Sequence, residues 1–393
     1  MSAVLRKGPR GFTLLEAMLS SAMAIVVLAG AVGVSAQLQR RSVFEEQVMQ
    51  AQVGGRAVKD VMAADLARAG AGMGNSRLRF NDANIIRLGI NVLNEPDLSV
   101  AQPVGAAIFQ PDTNRPFALP QGVYAGMASD ALQLWWGDVD GAVMLSGCGG
   151  GAGPKVTVGN SLNFCAPAST VYPDGFLGGQ VMVLNPTVGE GCHVEPQTDT
   201  GNGFNANPGR GGGGGPSGHA CSNGMAGMWS TPGWMAMRTR GSSWRVNWQG
   251  GQPVLEYDSP DTAAVVWEEV SRDVERLKVR QGVRPVVGAP LRWYPDAGAG
   301  RPAISDCTLA QLQPGGVCEV TWLNPAPTTL NELRAALQAQ VQELEVTLTM
   351  RTRRQDIDQN FGTTLPDQGD GWPNDGFKRR IYSFRVVPRN FLP

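Results

Sequence analysis

"KGPRGFTLLEAMLSSAMAIVVLAG" (Lys7–Gly30) sets a basic stub directly before an apolar run. From Phe12 to Val34 there are 23 residues, and Glu16 is the only ionisable one among them. As a helix this run spans about 34 Å, enough for a hydrocarbon core of ~30 Å. Arg6, Lys7 and Arg10 belong on the cytoplasmic side by the positive-inside rule, which places the rest of the chain across the membrane. A carboxylate inside such a span costs roughly 2.5–3.5 kcal/mol on insertion scales, so it reads by default as a functional group in need of a partner. The competing reading is an ordinary secretory signal, cut after Ala36 at Val34-Ser35-Ala36, before Gln37. The apolar run is much longer than the usual signal core of about 7–15 residues.

Cleavage between Gly11 and Phe12 would supply the partner. The new α-amino group would stand at the head of the same helix, and the ammonium of one subunit could pair with Glu16 of its neighbour as helices bundle. In low dielectric such a pair offsets much of the cost of burying both ions, and removing either leaves an uncompensated charge. The segment Gly11-Phe12-Thr13-Leu14-Leu15-Glu16 resembles the processing motif of type IV prepilins and pseudopilins. The resemblance implies a peptidase that cuts after Gly11 and methylates Phe12, with Glu16 as the assembly residue. It divides the chain into a leader (1–11), a transmembrane and assembly helix (12–35), a continuation of that spine (36–70) and a globular head (71–393).

The residues themselves support a long spine. From Ala36 to Leu66 there is no Pro, and Val43, Phe44, Val48, Ala51, Val58, Val61, Met62 and Leu66 recur at three- and four-residue spacings. Gly54-Gly55, costing about 1 kcal/mol per Gly against Ala, predicts a kink or break, and Gly70 and Gly72 predict the end. Beyond residue 71 the pattern turns to short alternating strands. Leu132, Leu134 and Trp136 share one face, and "KVTVGN" and "GGQVMVLNP" are two more strands. In "ELEVTLTMRT" Leu344, Val346, Leu348 and Met350 point inward, with Glu345, Thr347, Thr349 and Arg351 outward. A short helix from Leu330 to Gln342 precedes it, and Tyr382, Phe384 and Val386 share a face of the last strand. A helix followed by a mostly antiparallel sheet is α+β. Ala128–Leu132, Val274–Gly282 and the stretch from Arg379-Arg380 to Arg389-Asn390 also look like blocks of the larger, PilW-type minor pilins. Residues 140–250 form a Gly-rich insertion outside that likeness.

Composition bounds the alternatives. The 393 residues are 42% hydrophobic, enough for a real core, but only 17% charged, below the roughly 25% of an ordinary soluble protein. A formal net charge of −1 excludes a global field that draws the chain to nucleic acid. The six cysteines (Cys148, Cys165, Cys192, Cys221, Cys307 and Cys318), behind an export segment, favour an oxidising compartment. Sequence neighbours pair as Cys148–Cys165, Cys192–Cys221 and Cys307–Cys318, one of about fifteen possible connectivities.

Sites of other chemistry are weaker. Gly201–Cys221 has the composition of a surface loop; it lacks the Lys-Ser/Thr of a phosphate-cradling loop. Cys192-His193 and His219-x-Cys221 have zinc-ligand chemistry, but oxidised cysteines do not ligate metal. Asp367, Asp370 and Asp375 among glycines form a calcium candidate, against which stands plain turn chemistry. Trp234, Trp244 and Trp248 interleave with Arg238, Arg240 and Arg245. An exposed face of that kind holds single-stranded DNA; the simpler reading is a hairpin turning at Gly241-Ser242 with its aromatics in the core. Trp267–Arg276 reads as a solvated charged face. No cofactor and no enzymatic activity are expected. The resemblance implies an inner-membrane minor pilin in the complex that primes pilus assembly, near the pilus tip. Its implied partners are other minor pilins, the major pilin, prepilin peptidase, the assembly platform and a tip adhesin. A type II secretion pseudopilin of the J type, or a tip adhesin or DNA-uptake receptor working through the 140–250 insertion, are the alternatives.

Overall fold

The computed structural model describes residues 13–74, 76–79, 86–99, 114–149, 153–158, 161–168, 170–208, 221, 227–259, 266–320, 327–353 and 375–388. One α-helix runs unbroken from Leu14 to Arg68, 55 residues and about 80 Å long. A largely antiparallel β-sheet head follows it, so the architecture is α+β. The helix ends where glycine allows it to: Gly70 and Gly72 both have φ near +75° (76° and 74°).

The break expected at Gly54-Gly55 does not occur, because packing overrides propensity there. Ala51, Gly55, Val58, Met62 and Leu66 form one buried face of the helix. A Cβ on Gly55 would stand 2.8 Å from Tyr382 Cε2 and 3.1 Å from Met350 Cγ, so this glycine brings the helix down onto the head. Gly54 has only Asp273 Oδ2 near, at 3.5 Å. Gly55→Val is therefore expected to destabilise the head by about 1–3 kcal/mol through overpacking. Gly54→Ala is expected to be neutral or stabilising by up to ~1 kcal/mol. Denaturant unfolding of the full chain in detergent, followed by tryptophan fluorescence, separates the two.

Two sheets make the head. The smaller has four antiparallel strands in the order Arg292–Tyr294, Val274–Val283, Val341–Arg351 and Arg379–Val386. Leu344, Val346, Leu348 and Met350 face the core as the alternation predicted, and Tyr382, Phe384 and Val386 pack against it. Thr349 and Arg351, expected outside, are buried as well. The helix before this strand is Leu330–Gln338, shorter than expected. Val58, Met62 and Leu66 of the long helix share one core with this sheet and with Leu132, Leu134 and Trp244 of the larger one.

The larger sheet is organised by one strand, Met235–Asn247. Its first half pairs with Val181–Asn185 and its second half with Ala131–Gly137 and Val254–Asp258. This corrects the expected hairpin: Gly241-Ser242 lies inside a continuous strand, opposite Trp135 and Leu134. The reason is non-local, since three separate partners span both halves and remove any need to turn. Both faces of Ala131–Gly137 are covered, with Leu132 and Leu134 in one cluster and Trp135 in another.

Most of the 140–250 region, from Val143 to Ala236, folds around a core of its own, while Trp244, Val246 and Trp248 join the core under the helix. Phe164, Phe176, Phe204, Trp229 and Trp234 are buried in that separate core, and the Trp229 and Trp234 rings stack at 4.1 Å. Lys155–Val158 and Val181–Asn185 are strands, as expected. Part of the expected Gly201–Cys221 loop is instead the strand Gly203–Pro208, held between Ser161–Cys165 and Glu190–Asp199. Phe204 and Ala206 are its buried residues, so alternating apolar side chains hidden among Gly and Asn decided its state. Residues 209–220 of that stretch lie outside the described residues.

Candidate functional site

The first half of the helix has no cover. Every side chain from Thr13 to Val43 is exposed, Phe44 is the first half-buried one and Ala51 the first buried. Leu15 is 77% exposed and Ile25 66%. Burying one such side chain is worth about 1.5–3 kcal/mol, so this stretch requires an apolar medium or other helices. It is the one helix among the described residues long and apolar enough to cross a membrane.

Thr13, Ser20 and Ser21 bond within the helix itself. Thr13 is the N-cap: its Oγ1 accepts from Glu16 N at 3.3 Å, and Thr13 N and Oγ1 donate to Glu16 Oε2 at 3.1 and 3.0 Å. This is a reciprocal capping box, and a carboxylate there complements the helix N-terminus. Ser20 Oγ donates to the Glu16 carbonyl at 2.7 Å and Ser21 Oγ to that of Met18 at 2.9 Å. The sequence reading of Glu16 missed this local role, although Thr-x-x-Glu is a legible capping signal. Among the described residues no donor is bonded to Glu16 Oε1. Gly11 and Phe12 lie outside the described residues.

Where the helix meets the head, the three blocks singled out in the sequence come together. Ser129 Oγ accepts from Leu277 N at 3.1 Å, Asp130 N donates to the Leu277 carbonyl at 2.9 Å, and Asp130 Oδ2 accepts from Val279 N at 2.8 Å. Lys278 Nζ reaches Asp130 Oδ1 at 2.9 Å. This ladder fastens the start of one sheet to the free edge of the strand Val274–Val283 in the other. Burial pushes the Asp130 carboxyl up, against the opposing pull of Lys278.

The third block enters through Arg379. Its Nε and Nη2 donate to the two Glu275 oxygens at 2.5 and 2.9 Å, and its Nη1 and Nη2 to Asp375 at 2.8 and 2.6 Å. Arg351 Nη1 reaches Glu275 at 3.4 Å, its guanidinium lies 4.4 Å from the Phe377 ring, and Tyr124 Oη donates to Asp375 at 2.9 Å. Two guanidiniums and two carboxylates balance. Glu275 is 0% exposed, which corrects the solvated face expected over Trp267–Arg276. Only Glu268–Val270 and Arg272 of that stretch are exposed, while Trp267 and Asp273 are buried too. Burial by itself would raise the Asp375 carboxyl. The Arg379 bonds and charge, the Phe377 amide and Tyr124 outweigh burial and hold it below the usual range. A carboxyl lowered in the folded state stabilises above its unfolded pKa of about 3.9, and that stability goes as pH falls through the lowered value. The denaturation midpoint is expected to hold steady from about pH 7 to 5 and drop below about pH 4. Asp375→Asn should flatten that acid limb; an unchanged limb means other groups set it.

The remaining sequence candidates separate clearly. The cysteines bonded are Cys148–Cys165, Cys192–Cys221 and Cys307–Cys318, with Cα separations of 5.3, 5.7 and 6.3 Å. With Cys192 and Cys221 joined, their sulfurs are not available to zinc, and His193 is buried at the edge of the Trp135 ring, 5.7 Å away. His219, Asp367 and Asp370 lie outside the described residues, and Asp375 is occupied by Arg379 and Tyr124. No group of three or more metal-ligating side chains occurs among the described residues. Trp234, Trp244 and Trp248 are buried, so the interleaved aromatics are core and offer no stacking face. Arg245 pairs with Glu256 at 2.7 Å and lies 4.0 Å over the Trp267 ring, itself interior. Arg238 donates to the Asp174 carbonyl and Arg240 faces Asp138. The chain matches no protein-family model, no curated protein and no solved structure.

Proposed function

We propose that this chain is a membrane-inserted, pilin-like subunit that joins a filament through its N-terminal helix. The observation that carries the reading is a single helix whose first thirty residues are bare and whose first twenty or so are apolar, with the cleavage-like Gly11-Phe12 junction in the sequence just before it and the second half packed on a disulfide-bonded head. On this reading the leader stays cytoplasmic, the head stands in an oxidising space beyond the inner membrane, and the helix later leaves lipid to pack with its neighbours. Glu16 Oε2 is held by Thr13 while the subunit waits in lipid, and Oε1 takes the ammonium of Phe12 from the adjoining subunit. The head's size and its sequence blocks favour a large minor pilin of the priming complex, near the pilus tip, over a secretion pseudopilin. The other minor pilins, the major pilin, the peptidase and the assembly platform are the corresponding partners.

Mass spectrometry of the mature N-terminus tests this directly. The expected species begins with N-methylated Phe12. A chain that begins at Gln37, or one that keeps its leader in isolated filaments, sinks the reading.

A further inference from the structure

A cleft of about 240 Å³ opens between the strand Ile90–Leu93 and one face of the helix Leu330–Gln338. Among the described residues Ile90–Leu93 pairs with Ala131–Leu134 on one side only, and is therefore an edge there. Side chains stand in for the missing strand at its two ends. Gln338 Nε2 donates to the Ile90 carbonyl, and Ser305 Oγ accepts from Asn94 N at 3.4 Å. Backbone groups of an antiparallel strand alternate in direction with period two. Val92, midway between Ile90 and Asn94, therefore turns its N–H and C=O to the same side, into the cleft. One residue of an extended chain supplies the acceptor and the donor that Val92 calls for, the geometry of strand addition.

The opposite wall selects for charge. Asn331, Arg334 and Ala335 face the cleft from the helix. Arg334 commits Nε to the Cys307 carbonyl at 2.9 Å, and burial lowers its pKa, with Asp306 opposing. Asp306, the acid in the lining, accepts from Asn94 Nδ2 at 2.7 Å. Arg87 lines the floor, and burial lowers its pKa to about 10. A cation set in low dielectric draws an anion more strongly than one in water. The volume is below that of a drug-sized pocket and suits two or three residues of extended chain.

We propose that this cleft is a docking site for an extended, carboxylate-bearing peptide segment of a partner protein, which adds a strand to Ile90–Leu93 and sets its carboxylate on Arg334. The site does not depend on the membrane helix, so it stands or falls apart from the filament reading.

The test uses the full chain in detergent micelles and two fluorescein-labelled peptides, Val-Thr-Val-Asp-Val-amide and its Asn counterpart. The Asp peptide is expected to bind at least about tenfold more tightly, and to slow hydrogen exchange at the Val92 amide by about tenfold or more. Arg334→Gln should remove the preference between peptides. Asn331→Trp, at the half-buried mouth, should weaken both while leaving the denaturation midpoint unchanged. Equal binding of the two peptides, a preference retained in Arg334→Gln, or unchanged exchange at Val92 overturns the proposal. Displacement of the peptide by equimolar acetate would show a plain anion site and overturn it equally.

Discussion

Replacing Glu275 by Ala lowers the stability of the head by about 3–5 kcal/mol, the cost of leaving a buried partner uncompensated. Glu275 is fully buried, and it takes three of the hydrogen bonds that hold Arg351 and Arg379. Without it Asp375 faces two guanidiniums, one of them enclosed with no solvent to spread its charge. The loss reaches beyond one contact. Glu275 sits on the strand Val274–Val283, Arg351 on its neighbour, Arg379 on the edge strand Arg379–Val386 and Tyr124 on the approach to the other sheet, so the cluster pins four segments far apart in sequence. Denaturant unfolding of full-length protein with its disulfides intact gives the measurement. Glu275→Gln, which keeps the shape and some of the bonds, should fall between wild type and Glu275→Ala. A change below about 1 kcal/mol for the Ala variant would show that water reaches the cluster and screens it.

Glu16→Ala is expected to leave insertion and processing intact and to cut incorporation into filaments by about tenfold or more. The substitution removes an acid that costs roughly 2.5–3.5 kcal/mol in lipid, so insertion becomes easier. On the pilin-like reading it also removes the anion proposed to meet a neighbour's ammonium, and each 1.4 kcal/mol lost there is a factor of about ten. Thr13→Val separates the two roles of the site. It keeps Glu16 and its backbone bond from Thr13 N but deletes both bonds through Oγ1, so it should weaken the cap by about 1 kcal/mol and spare assembly. Quantifying the subunit in sheared filaments against the membrane pool reads both variants. Wild-type incorporation of Glu16→Ala would end the charge-pairing account.

The long bare helix and the acid near its head were legible in sequence because their signals are local. A basic stub, a long apolar run and one acid at fixed spacing fall within a few turns of each other. The capping box is equally local, carried by the Thr13-x-x-Glu16 spacing. The buried charged cluster where the helix meets the head was not legible. Glu275, Arg351, Asp375 and Arg379 each look like ordinary surface charges in their own segments. Nothing in "WEEVSRDVER" distinguishes the exposed Glu269 from the buried Glu275 except which strands later cover it.

The same division runs through the whole molecule. From sequence alone follow the long helix and its bare half, the glycines that end it, and the alternating strands Val341–Arg351 and Arg379–Val386, whereas the cysteine pairing, one of about fifteen, was settled by the fold. The helix, its glycines and the strands rest on period and spacing, properties a stretch of chain carries with it. Tertiary structure alone decided that the helix passes through Gly54-Gly55, that Met235–Asn247 does not turn, and that Gly203–Pro208 is a strand. In each case the deciding atoms belong to residues distant in sequence: Tyr382 and Met350 against Gly55, Ala131–Gly137 against Gly241, and Phe164 against Phe204. Local propensity there amounts to about a kilocalorie, and the packing of two or three buried side chains exceeds it.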